Sequence, residues 1–263
     1  MTAPVLVERD GRIATLVLNR PQALNTLDVP MMDALVDAAA EVARDDAMRV
    51  VVVRGAGKHF MAGGDINTFA EMLEGDPAER QARFRRLITR LHSAIEAFHR
   101  MPHPVVGQVH GAVAGFGLSL MNACDIVVAA DNAYFASAYR AIALTPDGGG
   151  SYALPRAVGM RRAMEIMLLN ERFSADQALE WGLVNRVVPL ADLDATVAAI
   201  CRSLVDGPVT AIRNTKRLLR ESLSRSLSEQ LDAEAASFGE CASRPDFAEG
   251  IAAFLQKRPA KFE

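Results

Sequence analysis

The sequence predicts an α/β fold that ends in a helical C-terminal part, and three observations carry that reading. Short apolar runs of strand length alternate with longer stretches of helical periodicity as far as residue 189. One of the short runs, residues 50–53, is valine at every position, the pattern of a strand buried on both faces. Beyond about Pro189 the strand-like runs stop, and every later stretch has helical spacing.

The elements follow in order. Residues 5–7 and 13–18 flank Arg9-Asp10-Gly11, a turn signal, so the chain opens with a β-hairpin. Asp28 suits a helix N-cap and Pro30 the first turn, and Met32, Leu35, Val36, Ala39, Val42 and Ala43 keep one apolar face. After the valine strand comes a glycine-bearing loop over 55–67. A longer helix over 78–99 carries Phe84, Leu87, Ile88, Leu91, Ile95 and Phe98 at helical spacing, and Pro102 and Pro104 end it. Strands are predicted at 105–109, 126–130 and 133–136, with a glycine loop feeding a buried helix between the first two. The last part reads as helices over 192–206, 208–222, 226–241 and 246–257. The predicted organisation is an α/β core over 1–189 and a helical region over 190–263, with no flexible linker between them.

Composition narrows the function. Half of the 263 residues are hydrophobic, the balance of a chain with a large core. A net charge of −3 gives no electrostatic ground for nucleic acid or an anionic membrane as partner. Neither a signal peptide nor a membrane span is legible, so a cytoplasmic protein is expected. Cys124, Cys201 and Cys241 form no C-x-x-C pair and read as buried free thiols. The histidines show no zinc-site spacing, and no metal is expected. The glycines of GAVAGFG lack a clear βαβ setting for a dinucleotide, although Asp131 stands near the distance of a ribose-binding acid. No G-x-S-x-G elbow makes Ser119 or Ser151 a nucleophile.

Three segments have the composition of a reaction site. Residues 61–65, Met-Ala-Gly-Gly-Asp, follow a strand; residues 114–117, Ala-Gly-Phe-Gly, follow another and open a helix. Small residues let a ligand approach the main chain, and free N–H groups at a helix start favour negative charge. Two such donors aimed at one oxygen form an oxyanion hole. In the third segment, 144–152, the carboxylate of Asp147 sits among glycines just ahead of a helix. Taken singly, the first two also read as glycine turns, and Asp147 as a turn or N-cap residue.

Taken jointly, LNRPQALNTLD at 18–28, HFMAGGDI at 59–66, GAVAGFGLSLMNACDIVVAA at 111–130, PDGGGSYALPRAVG at 146–159 and ADQALEWGLVNRVVP at 175–189 resemble the crotonase (enoyl-CoA hydratase/isomerase) superfamily. The resemblance implies a spiral of ββα units with a helical C-terminal trimerisation region, assembled as a homotrimer or as a hexamer of two trimers. It implies an acyl-CoA substrate, with coenzyme A present as part of that substrate and no tightly bound cofactor. The oxyanion donors would be the N–H groups of Gly64 and Phe116, the latter usually glycine in the family. Gln22, Ala23 and Leu24, with Ala62, Asp65, Ile66 and Asn67, would line the coenzyme A path. Gly115, Pro146 and Gly149 would lie at the substrate, and Lys257 would help with phosphates, its residue-level reading being a solvated lysine at a helix end.

Two departures bear on the reaction. The paired glutamates with which the family's hydratases activate water fall on Ser119 and Tyr139, neither a carboxylate. Asp147 falls where the Δ3,Δ2-enoyl-CoA isomerases carry the acid that shuttles a proton. The expected activity is therefore Δ3,Δ2 double-bond isomerisation in fatty or aromatic acid degradation. The alternatives are hydration, a 4-chlorobenzoyl-CoA dehalogenase-like reaction, and a catalytically silent acyl-CoA-binding protein. The dehalogenases are similar through a nucleophilic aspartate at Asp147, a histidine at His92 and a tryptophan at Tyr139. By its own spacing His92 reads as a half-buried histidine on an amphipathic helix.

Overall fold

A computed structural model describes residues 3–262. The hairpin is β1 (Val5–Asp10) and β2 (Ile13–Leu18), turning at Gly11 with φ +56°. Helix α1 (Val29–Ala43) follows, and the Asp28 carboxylate accepts the Met31 N–H at 2.8 Å as its N-cap. The chain continues through β3 (Val50–Gly55), α2 (Ile66–Glu71), α3 (Pro77–Arg100), β4 (Val105–Val109), β5 (Ala112–Ala114) and α4 (Phe116–Ala123). Then come β6 (Ile126–Ala130), β7 (Tyr134–Ala136), α5 (Gly150–Leu169), β8 (Phe173–Ser174), α6 (Ala175–Glu180) and β9 (Arg186–Val188). The C-terminal helices are α7 (Leu193–Val205), α8 (Val209–Ser222), α9 (Leu227–Ala242) and α10 (Pro245–Gln256).

The larger sheet has the order β1-β2-β3-β4-β6-β9, antiparallel only in the hairpin and parallel elsewhere. A smaller, three-stranded sheet has the order β5-β7-β8. The all-valine strand now has its cause. Val51 and Val53 point into the main core with Phe60, Leu91 and Phe98, while Val50 and Val52 point to the other face. There they meet Val106, Val128 and four residues of α7, Leu193, Val197, Ile200 and Cys201. Period-two alternation on a sheet covered on both sides makes every position apolar. Helix α7 is thus part of the core packing, although it lies beyond residue 189.

Helix α8 is joined to that core by charge. The buried Lys216 ammonium pairs with Asp125 at 2.7 Å and donates to the His103 carbonyl, and Arg220 pairs with the same carboxylate at 2.7 Å. Outward, α8 to α10 expose large apolar side chains, among them Leu219, Leu223, Leu227, Phe238 and Phe254. Among the described residues no single helix is long and apolar enough to cross a membrane.

Several short elements differ from the sequence reading. Residues 66–71, taken as loop, form α2, because Asp65 caps them through the Asn67 N–H. Residues 112–114, inside the predicted glycine loop, form β5, and β8 and β9 were not legible in runs of two and three residues.

Candidate active site

The site grows from the turn between β2 and α1. Leu24 and Asn25 both take left-handed backbone, at φ 53° and 54°, which folds the turn back onto the end of β3. Asn25 is fully buried, and its amide nitrogen reaches the carbonyls of Ala56, His59 and Phe60 at 2.8–3.1 Å. So anchored, the chain runs beside residues 61–65. The Ala62 N–H donates to the Leu24 carbonyl at 3.1 Å, the Leu27 N–H to Gly63 at 2.8 Å and the Asp65 N–H to Leu27 at 2.9 Å. In a parallel bridge of this kind the residue between the last two bonds turns its own N–H to the opposite side. That residue is Gly64, and among the described residues its N–H meets no acceptor.

On its other flank the same segment pairs with β5, the Met61 N–H donating to Ala112 at 3.1 Å and the Ala114 N–H to Met61 at 2.9 Å. The chain then turns at Gly115 (φ 53°, ψ −124°) and starts α4 at Phe116. The first N–H groups of a helix lack intrahelical acceptors, so the Phe116 N–H is available. The loops nearly touch: a Cβ built on Gly63 would lie 3.6 Å from the Phe116 nitrogen, and one on Gly115 3.3 Å from the Gly63 Cα. Backbone can come this close only where side chains are missing. Gly64 and Phe116, the two residues with free main-chain donors, therefore line one cleft of about 490 Å³.

The acid stands in the same cleft. Asp147 is half-buried, and the Tyr139 hydroxyl donates to its Oδ1 at 2.6 Å. The Ser119 hydroxyl donates to the Asp147 carbonyl at 2.8 Å and lies 3.2 Å from the Tyr139 oxygen. Behind the loop the Gly148 N–H donates to His92 Nε2 at 3.2 Å. Gly148 must be glycine: its φ is +56°, and a Cβ there would meet the Phe116 ring at 2.7 Å. The Phe116 ring thus packs against the acid loop.

Burial raises the Asp147 pKa above the ordinary carboxylate range, against the opposing pull of the Tyr139 hydrogen bond and the His92 charge. Burial and the neighbouring carboxylate push the Tyr139 phenol up as well, so it stays a neutral donor. Among the described residues Asp147 is the only carboxylate lining the cleft.

Gly64, Gly115, Phe116, His92, Tyr139, Pro146, Asp147, Ala62 and Ile66 all line this cleft. Ser119 sits just behind it, through Tyr139. Gln22 and Leu24 are exposed, with Ala23 half-buried, and Asn67 is exposed at the start of α2. Gly149 lies outside the lining. Lys257 caps α10 in left-handed backbone and is not brought to the cleft. The Asp65 carboxylate is buried, turned away from the cleft to cap α2 and pair with Arg20. His92 is half-buried on α3, as its spacing predicts, and it is also among the residues that line the cleft. Phe84, Ile88 and Leu91, spaced as core residues, line the cleft with Phe69, since periodicity does not distinguish a cleft wall from a core. Among the described residues no group of three or more His, Cys, Asp or Glu side chains is placed to hold a metal.

Residues 8–263 match the enoyl-CoA hydratase/isomerase family. The chain belongs to that family. It is 34% identical over 260 residues to the 1,2-epoxyphenylacetyl-CoA isomerase of Escherichia coli, covering 98% of this chain and 97% of that one. It is 37% identical over 251 residues to a Rhodobacter capsulatus protein that bears an enoyl-CoA hydratase name, covering 95% and 94%. The crystal structure of an enoyl-CoA hydratase from Polaromonas superposes with a TM-score of 0.91 at 34% identity, over 98% and 99% of the two chains. The crotonase fold is therefore the fold of this family member, an acyl-CoA enzyme by family.

Proposed function

We propose that this family member is an enoyl-CoA isomerase that moves a double bond from the Δ3 to the Δ2 position of an acyl thioester. One observation carries the reading: among the described residues a single carboxylate, of raised basicity, shares a mostly apolar cleft with two residues whose main-chain N–H groups meet no acceptor, Gly64 and Phe116. The thioester oxygen accepts from Gly64 and Phe116. Asp147 takes a proton from C2, the charge spreads into a dienolate held by the two donors, and the same carboxyl returns the proton at C4. A basic carboxylate suits both halves, since its pKa lies nearer that of working solution. Tyr139 occupies one Oδ, which leaves the other for the proton.

Hydration has less support, because Ser119 and Tyr139 stand where the resemblance puts two water-activating glutamates. One observation favours a second reading, a dehalogenase-like displacement at a 4-chlorobenzoyl thioester: His92 lies against the Asp147 loop. The coenzyme A part is proposed to run along residues 22–24 and 62–67, bound as part of the substrate without a separate cofactor. A cytoplasmic homotrimer or hexamer, in which the apolar faces of α8 to α10 are covered, completes the proposal.

The test is a comparison of three substrates on one preparation. A 3-enoyl-CoA should be isomerised about 10²-fold faster than crotonyl-CoA is hydrated, the span that one general acid–base group commonly contributes. Hydration at about 10⁷ M⁻¹s⁻¹, near the diffusional range, would overturn the reading. Chloride release from 4-chlorobenzoyl-CoA without isomerisation would transfer it to the dehalogenase alternative.

The Asp147 environment also sets a pH dependence. The base works ionised, so kcat/KM should fall on the acid side at a pH above the ordinary carboxylate range. The Tyr139 hydrogen bond stabilises the carboxylate and holds that pKa down. Tyr139→Phe should therefore move the acid limb to still higher pH, measured as a kcat/KM profile. An unmoved or lowered limb contradicts this role for Tyr139.

A further inference from the structure

We propose that Arg20 is a positioning residue for the oxyanion hole, acting on Gly64 through Asp65 and Thr26. The proposal rests on the reading of the Gly64 N–H as an oxyanion donor. Arg20 Nη1 donates to the Thr26 carbonyl at 2.6 Å, and Nη2 lies 3.1 Å from Asp65 Oδ2 and 3.0 Å from Asp28 Oδ2. Thr26 and Asp65 are the chain neighbours of Leu27 and Gly64, the bridged pair that aims the Gly64 N–H. One planar guanidinium thus ties the two strands of the bridge together, one residue from the donor on one strand and one residue from its bridge partner on the other.

The side chains involved are poorly solvated: 18% of Arg20, 12% of Asp65 and 23% of Asp28 is exposed. Burial works against the Asp65 charge, but Arg20 and the N–H groups of Asn67 and Thr68 hold its carboxyl below the usual range. Without Arg20, two largely buried carboxylates face each other with no cation between them, and their repulsion acts on the segment that carries Gly64. Asp65 also caps α2, whose Phe69 ring lies on Gly64, so a shift of Asp65 moves both the donor and the wall above it. Small displacements at a reacting centre cost rate more than affinity, because the hole holds charge only as the enolate forms.

The experiment uses acetoacetyl-CoA, a 3-oxoacyl thioester whose enolate has a near-ultraviolet band when an oxyanion hole stabilises it. Arg20→Gln should bind the probe within about 3-fold of the wild-type Kd, while its bound enolate fraction and the kcat for a 3-enoyl-CoA fall by about 10- to 10²-fold. Arg20→Lys, a single ammonium without the fork, should recover part of that loss. Asp65→Asn keeps an N-cap but loses the ion pair and should reproduce the loss, which retains a test if Arg20→Gln does not fold. A full enolate band in Arg20→Gln or Asp65→Asn overturns the role of Arg20 and leaves the isomerase reading standing. Equal losses in Kd and kcat would mark a merely structural residue and also overturn it. Probe binding to the wild type without any enolate band counts against the hole itself, and the proposal falls with it.

Discussion

Asp147→Asn is expected to lower conversion of a 3-enoyl-CoA to its 2-enoyl isomer by about 10²- to 10⁴-fold, the range of general acid–base catalysis. The amide keeps the shape of the side chain and can still accept the 2.6 Å hydrogen bond from Tyr139. Basicity is what it loses. Affinity for an acyl-CoA should change little, because the oxygen-binding groups are main-chain donors on other elements. Single-turnover conversion and calorimetric binding measure the two effects separately, and a full-rate variant would remove Asp147 from the mechanism. Stability should move the other way. Burial raises the folded-state pKa of Asp147 above its unfolded value, so the ionised carboxyl opposes folding. That penalty is absent below the unfolded pKa and sets in as pH rises through the folded one. Asp147→Asn should therefore melt at a higher temperature than the wild type at neutral pH, with the difference closing in acid.

Gly115→Ala is expected to cost about 10² to 10³ in kcat, comparable to losing one oxyanion donor. The backbone there is at φ 53° and ψ −124°, open to glycine and strained for any L side chain. An added Cβ would lie 3.3 Å from the Gly63 Cα and 3.9 Å from the Ala138 Cβ, so relief means separating the loops that bring the two donors together. The strain should also lower stability by about 1–3 kcal/mol, visible as a reduced urea midpoint. Retention of the wild-type kcat with only the midpoint lowered would show that Phe116 does not contribute a donor.

Much of this was legible in the sequence, for physical reasons that differ between parts. The valine strand, the Asp28 cap and the long α3 were readable because burial and capping act on neighbouring residues. The glycine loops were visible too, but what they build was not: Gly64 and Phe116 become a pair only when residue 61 meets β5 and residue 64 meets Leu27. Asp147 alone read as a cap, and its raised basicity comes from burial by elements distant in sequence. Arg20 and Asn25 carried no signal of their own, since a charge beside a proline and an asparagine in a turn are ordinary. Asp65 was read on the coenzyme path; that its carboxylate also caps α2 was hidden while that helix was taken for loop.

The separation of labour inside this cleft has an evolutionary consequence. In the proposed mechanism the thioester is hydrogen-bonded by peptide groups, which only a change to proline can delete, while the choice of reaction rests on three exchangeable side chains at 119, 139 and 147. New chemistry is therefore one or two substitutions away, and descent of the whole chain says little about which reaction a given member runs. Those substitutions do not simply add up. The Tyr139 oxygen is 2.6 Å from Asp147 and 3.2 Å from Ser119, so acids introduced at 119 or 139 beside an existing Asp147 would share a buried space. At such spacing one of two carboxyls is forced to stay protonated. A lineage crossing from one-base to two-acid chemistry would have to surrender Asp147 on the way, and intermediates that keep all the acids would be poor at both.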